Sequence, residues 1–153
     1  MAEERVIQGI PEAIANLKKW QIIKVQAVKD RLKKQAFKVE LLAKQMCPVK
    51  TGRLRASIST NWSGSDMGEG KIGAQAKSGD GIKRPDGPPE LVCVVGTNVK
   101  YARRIEHGFF GEDKAGRTYA QEGRPYLFPA YFSYEGETIM ALATIMKEDV
   151  KLG

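Results

Sequence analysis

PEAIANLKKWQIIKVQAVKDRLKKQAFKVELLAKQM, residues 11 to 46, is the stretch on which the fold turns. Apolar residues recur at Ile10, Ile14, Leu17, Val25, Val28, Leu32, Val39 and Met46, with Ala36 and Ala43 on the same side. Steps of three, four and seven trace one stripe on a helix of 3.6 residues per turn. Trp20, Ile23, Phe37 and Leu41 widen the apolar surface beyond a single seam. Pro11 suits the first turn, where a missing N–H costs nothing. Pro48 ends the run, because the residue before a proline is pushed out of the α region. The prediction is one helix over 10–47, roughly 50 Å long at about 1.5 Å per residue. So long a rod on so short a chain is expected to pack partly on another subunit.

Past the turn Pro48–Gly52, residues Leu54, Ala56, Ile58, Thr60 and Trp62 alternate with Arg55, Ser57, Ser59 and Asn61. Period two predicts a half-buried strand over 53–62. The β-branched run Leu91-Val92-Cys93-Val94-Val95-Gly96-Thr97 predicts a second, antiparallel strand over 90–97. Between them, 63–89 is rich in Gly, Ser, Asp and Pro and has no periodicity. Loops beyond about 12–15 residues are uncommon in compact folds and tend to be functional or disordered. Here Lys71, Lys77, Lys83 and Arg84 balance Asp66, Glu69, Asp80 and Asp86, which does not suit a loop that tracks phosphate. The reading is a flexible, protein-contacting arm.

A short helix is expected over 101–107, stopped by Gly108, since glycine tolerates a left-handed C-terminal position. A polar loop follows over 109–124. Pro125 and Pro129 then predict an extended lead into a C-terminal helix over 130–150. Its apolar face is Tyr131, Tyr134, Ile139, Leu142, Ile145 and Met146, and Gly136 weakens it by about 1 kcal/mol relative to alanine. The expected fold class is α+β within a single domain, 1–153. It has a long N-terminal helix, a small antiparallel β-sheet with a long hairpin loop, a short middle helix and a C-terminal helix.

Composition narrows the classes without choosing among them. The chain has 153 residues, 42% hydrophobic and 28% charged, and carries a net charge of +7. Nine basic residues and three acids lie between Pro11 and Cys47, so nearly the whole excess sits on the first helix. Such a face could meet nucleic acid or an acidic protein ring, or could simply be solvated. No run approaches the roughly 18–20 apolar residues of a membrane span. Met1 to Arg5 leads into no apolar stretch, so no signal peptide is expected. Cys47 and Cys93, 46 positions apart, read as free thiols of a protein made in a reducing cytoplasm.

No constellation of reactive groups stands out. His107 is the single histidine, and with Cys47 and Cys93 it forms no closely spaced pair that would anchor zinc. Neither cysteine sits in an activating motif. There is no glycine-rich phosphate loop, and Glu112 and Asp113 have no partner acids at guaranteed spacing. No catalytic residue, cofactor site or metal site is assigned, and no enzymatic activity is expected. A small basic protein binding DNA without sequence preference is the alternative, drawing on the first helix with Arg53, Arg55, Arg103 and Arg104. An enzyme using Cys47 or Cys93 is a third reading, with no substrate proposed.

Three segments carry a resemblance. Pro48-Val49-Lys50-Thr51-Gly52-Arg53-Leu54-Arg55-Ala56-Ser57-Ile58 is similar to the P-V-D-T-G-x-L-R-x-S-I segment of tailed-bacteriophage head–tail joining, or tail-completion, proteins. Val95-Gly96-Thr97, Tyr101-Ala102 and Glu106-His107-Gly108 resemble their V-G-T, Y-A and E-x-G block. Arg124-Pro125-Tyr126-Leu127-Phe128-Pro129-Ala130 is similar to their R-P-F-x-x-P-A lead into the last helix. Lys50 departs from the pattern, standing where the family usually has an acid. Together with the elements between them, the segments span about residues 11 to 150. The motif residues are expected to specify fold and assembly.

The resemblance implies a structural subunit of the virion neck or tail, made in the host bacterial cytoplasm. It implies a hexameric ring of copies of the chain that joins the tail end to the head. The partners would be head connector or closure proteins and tail tube or tail terminator proteins. DNA passing through such a ring would be a further contact, and no membrane is involved.

Overall fold

The computed structural model describes residues 10–62, 73–82 and 91–148. The element order is α1 (Ile10–Met46), α2 (Arg53–Ser57), β1 (Ser59–Trp62), β2 (Cys93–Gly96), α3 (Ala102–His107), β3 (Phe109–Glu112), β4 (Thr118–Gln121) and α4 (Leu127–Lys147). The α+β class holds, with its long first helix, small antiparallel sheet, middle helix and C-terminal helix.

Helix α1 runs unbroken because nothing interrupts its 37 residues before Pro48, and Cys47 N–H still bonds to Ala43 O at 2.9 Å. Helix α4 packs antiparallel along its second half. Lys24 donates to the carbonyls of Ile145 and Glu148, placing a buried cation at the C-terminal end of α4. Further along, Glu137 accepts from Lys38 Nζ at 2.6 Å, Gln35 Nε2 at 3.0 Å and Arg31 at 3.4 Å. The Lys38 bond, above all, holds the Glu137 carboxyl below its ordinary range.

Strand β1 pairs antiparallel with β2, Ser59 opposite Gly96 and Trp62 opposite Cys93. One side of β1 faces α1, with Thr60 Oγ1 donating to Glu40 Oε2 at 2.6 Å and Trp62 edge-on to Phe37 at 5.7 Å. The other side is covered by 73–82. Asn61 Nδ2 donates to Ile82 O at 3.2 Å, and Ile82 N–H points at Ser59 Oγ at 3.4 Å. The strand is therefore buried on both sides, although its residues are largely polar. The core where these layers meet includes Ala43, Leu54, Ile58, Ala102, Tyr126 and Ala130.

Several boundaries differ from expectation. The strand foreseen over 53–62 begins only at Ser59, because Arg53–Ser57 forms a helical turn. Leu54 and Ser57 are its buried residues and the C-cap Ile58 is buried too, at helical spacing, whereas Leu54, Ala56 and Ile58 fit period two. The loop foreseen over 109–124 contains a hairpin, with Phe109 opposite Gln121 and Glu112 opposite Thr118. The extended lead from Pro125 to Pro129 is shorter than foreseen, since α4 starts at Leu127 rather than 130 and ends at Lys147. Pro129 falls in the first turn, where no N–H is needed. Of the arm foreseen over 63–89, residues 63–72 and 83–89 lie outside the described residues. Residues 73–82 form turns fastened to the sheet rather than a free loop.

Candidate assembly interface

Several of the motif residues meet in a polar framework around α2. Gly52 adopts a left-handed conformation (φ 76°) that turns the chain into α2. The next residue, Arg53, makes a bidentate pair with Asp80, both bonds 2.7 Å. The Arg53 bond, backed by Lys77 N–H, holds the Asp80 carboxyl down at about 2. Asp80 O in turn accepts from Asn98 N–H at 2.7 Å and from Thr97 Oγ1 at 3.0 Å. Ser57, fully buried, lies 2.7 Å from Thr97 and 2.7 Å from Leu54 O. Gly96 lies close under Ile82: a Cβ there would stand 2.9 Å from Ile82 Cδ1, and the end of that side chain would have to shift. Thr51 and Lys50 are exposed and Pro48 is half-buried.

A second knot joins α3 to α4. The buried Glu106 carboxylate accepts from the N–H groups of Tyr126 (2.9 Å), Leu127 (3.1 Å) and Phe128 (2.9 Å). Pro129 has no N–H to offer, so the start of α4 is satisfied by one side chain. Tyr101 precedes α3 and Ala102 is buried beneath it, while Gly108 (φ 80°) closes it with an N–H bond to Arg104 O. Arg124 N–H bonds to Ile105 O at 2.7 Å, with Pro125 following exposed and Ala130 fully buried.

Sequence reading missed three members of this framework. Asp80 sits in the supposed arm, and nothing in its surroundings marks it. Gly123 passes so close to Glu106 O that a Cβ would stand at 2.8 Å, yet no turn motif surrounds it. Gln35 looks like one more polar residue of α1 but is only 3% exposed.

Chemically reactive groups are sparse. Among the described residues no group of three or more His, Cys, Asp or Glu is placed to hold a metal ion. Both cysteines are free thiols; burial pushes Cys47 up to about 11 and raises Cys93 as well. His107 ends α3, exposed, with its ring 5.6 Å from Phe128. The basic residues of α1 are largely engaged within the molecule. Besides Lys24, Arg31 and Lys38, Lys44 pairs with Glu40, and Lys33 lies 5.0 Å above the Trp62 ring.

What the described residues leave open is apolar. Every residue from Ile10 to Ile23 is exposed, and Lys24 is the first buried one. This overhang displays Ile10, Ile14, Leu17 and Ile22. Further along α1, this helix, β2 and α4 enclose a groove of about 450 Å³, lined by Leu32, Gln35, Val39, Val95, Tyr131 and Ile139 among others. Phe132 and Met140 extend the exposed apolar surface along α4. Isolated apolar residues on a surface mean little, but contiguous ones mark contact sites.

The model of a protein family described as "Bacteriophage HK97-gp10, putative tail-component" matches residues 11–108. The chain belongs to the HK97-gp10-like family. The match spans α1 through α3 and so includes Thr51-Gly52, Gly96 and Glu106, whereas Arg124 to Ala130 lie beyond it. No curated protein and no solved structure matches the chain. Family membership gives a phage tail component in contact with other virion proteins. Among the described residues no helix is long and apolar enough to cross a membrane.

Proposed function

We propose that the chain is a non-enzymatic ring subunit, in six copies, that completes the tail end and joins it to the head connector. Its partners in this reading are further copies of itself, head closure proteins, and tail tube or tail terminator proteins. The observation that carries the reading is the exposed N-terminal part of α1, from Ile10 to Ile23, whose apolar side chains have no cover among the described residues. A free-standing globular protein has no use for such a surface; a subunit of an assembly does. The motif residues, Pro48, Thr51 and Gly52 through Pro129 and Ala130, serve in this reading to fix the framework from which that surface projects.

DNA binding is the weaker reading, because at least five of the nine basic residues of the first helix are engaged inside the molecule. A thiol enzyme is disfavoured by the raised Cys47 and Cys93, which stay protonated at neutral pH. The test is to abolish expression of the chain in the phage that encodes it and image the particles. Separate filled heads and tails are expected; joined, infectious virions lacking the chain would overturn the proposal.

A further inference from the structure

Among the described residues, the overhang of α1 and the groove are two open surfaces that cannot meet within one chain. Ile10, Ile14 and Leu17 lie on the same helical face as Leu32 and Val39, which line the groove. Leu17 and Leu32 stand on one continuous helix, about 22 Å apart at roughly 1.5 Å per residue. The apolar stripe that binds α4 in the second half of α1 thus continues past the last described turn of α4. Only another molecule can bring the overhang to the groove.

Resting on the ring reading above, we infer that the first half of α1 of one copy seats in the α1–β2–α4 groove of the next. The two surfaces complement each other in three ways. Both are apolar, with Ile14 and Leu17 offered to Val39, Val95 and Ile139. The groove has one polar fault: Gln35 is buried, and its Oε1 has no hydrogen-bond partner. An orphan acceptor of this kind is satisfied only when a donor arrives. The overhang carries Trp20, whose indole N–H has no acceptor among the described residues, while its ring sits 5.6 Å from Lys24. Charge agrees in sign: among the described residues Lys18, flanking the apolar face of the overhang, has no ion-pair partner, nor has Glu135 on the groove wall.

Because knob and hole are different surfaces, the contact is heterologous and repeats head to tail. That geometry closes a ring once the rotation between neighbours allows. An isologous pairing of two overhangs would stop at a dimer.

The native Cys93 lines the groove and provides the test. Purified full-length Leu17→Cys is oxidised mildly and run without reductant. A disulfide requires Cα atoms within about 7 Å, so the introduced thiol cannot reach Cys93 of its own chain. A ladder of reducible multimers is expected, abolished in Leu17→Cys combined with Cys93→Ser, with helical content unchanged by circular dichroism. A second experiment uses Leu17→Glu (groove intact) and Ile139→Glu (overhang intact). Neither alone should exceed monomer mass by light scattering, and mixed they should give dimers and no rings. Rings that form while no ladder appears, or a ladder that survives loss of Cys93, overturn the docking and leave the ring reading intact. A wild-type chain that stays monomeric at all concentrations also overturns it. The ring reading itself falls only with the virion experiment.

Discussion

From Lys24 onward, α1 is held by α4, β2 and β1, whereas from Ile10 to Ile23 every residue is exposed. Both halves carry the same apolar periodicity, so periodicity distinguishes a helix from a strand but not an inner face from an outer one. What separates them is the length of α4: its last described turn meets Lys24, and the stripe simply outruns it.

The contrast predicts that changes at the held end unfold the molecule while changes at the free end leave it folded. The largest effect is expected for Ile58→Ala, which empties a fully buried site beside Ala43, Leu54 and Ala130. A loss of about 2–5 kcal/mol is the usual consequence, measurable by denaturant unfolding. Glu106→Ala comes next. Three N–H groups at the start of α4 lose their acceptor, costing about 1–3 kcal/mol on the same measurement. A loss under about 0.5 kcal/mol would mean that water replaces the carboxylate and that the knot is not structural.

Acid should act on the held end through Asp80. Asp80 titrates at about 2 in the folded chain and near its ordinary value of about 4 when unfolded. Its contribution is therefore complete above about pH 4 and lost as pH falls toward about 2. Asp80→Asn should remove part of the pH dependence of the melting temperature in that window; an unchanged profile would exclude the Arg53–Asp80 pair as its source. The smallest effect on folding is expected at the free end. Leu17→Ser, on a residue 66% exposed, should shift stability by less than about 0.5 kcal/mol in the dissociated protomer. A larger loss would show that the overhang is covered within its own chain.

Legibility in the sequence followed the same division. The long helix could be read because its pattern is uninterrupted, and β2 because its β-branched run has no helical counterpart. The helical turn Arg53–Ser57 could not, since Leu54, Ala56 and Ile58 satisfy period two while Leu54, Ser57 and Ile58 satisfy the helical spacing. Nor could β3 and β4, a ribbon largely exposed, where burial imposes no alternation to read. Pro129 misled because a proline forbids the interior of a helix but not its first turn. Of the candidate interface, the exposed apolar surplus on α1 was legible. The groove was not, because it is formed by β2 and α4 approaching α1 from distant parts of the chain. Gln35 and Asp80 acquire their roles only through partners 102 and 27 positions away.

The ribbon of β3 and β4 leaves and rejoins the molecule at a single point. A Cβ on Gly108 would stand 2.6 Å from Gln121 O and 2.7 Å from Gly123 N, so its two feet nearly touch. A segment with its ends pinned together can be lengthened, shortened or replaced without moving what lies on either side. Residues 113–117, at the tip of a stem closed by Asp113 N–H to Arg117 O at 2.9 Å, are therefore a natural graft point for a tag or a label.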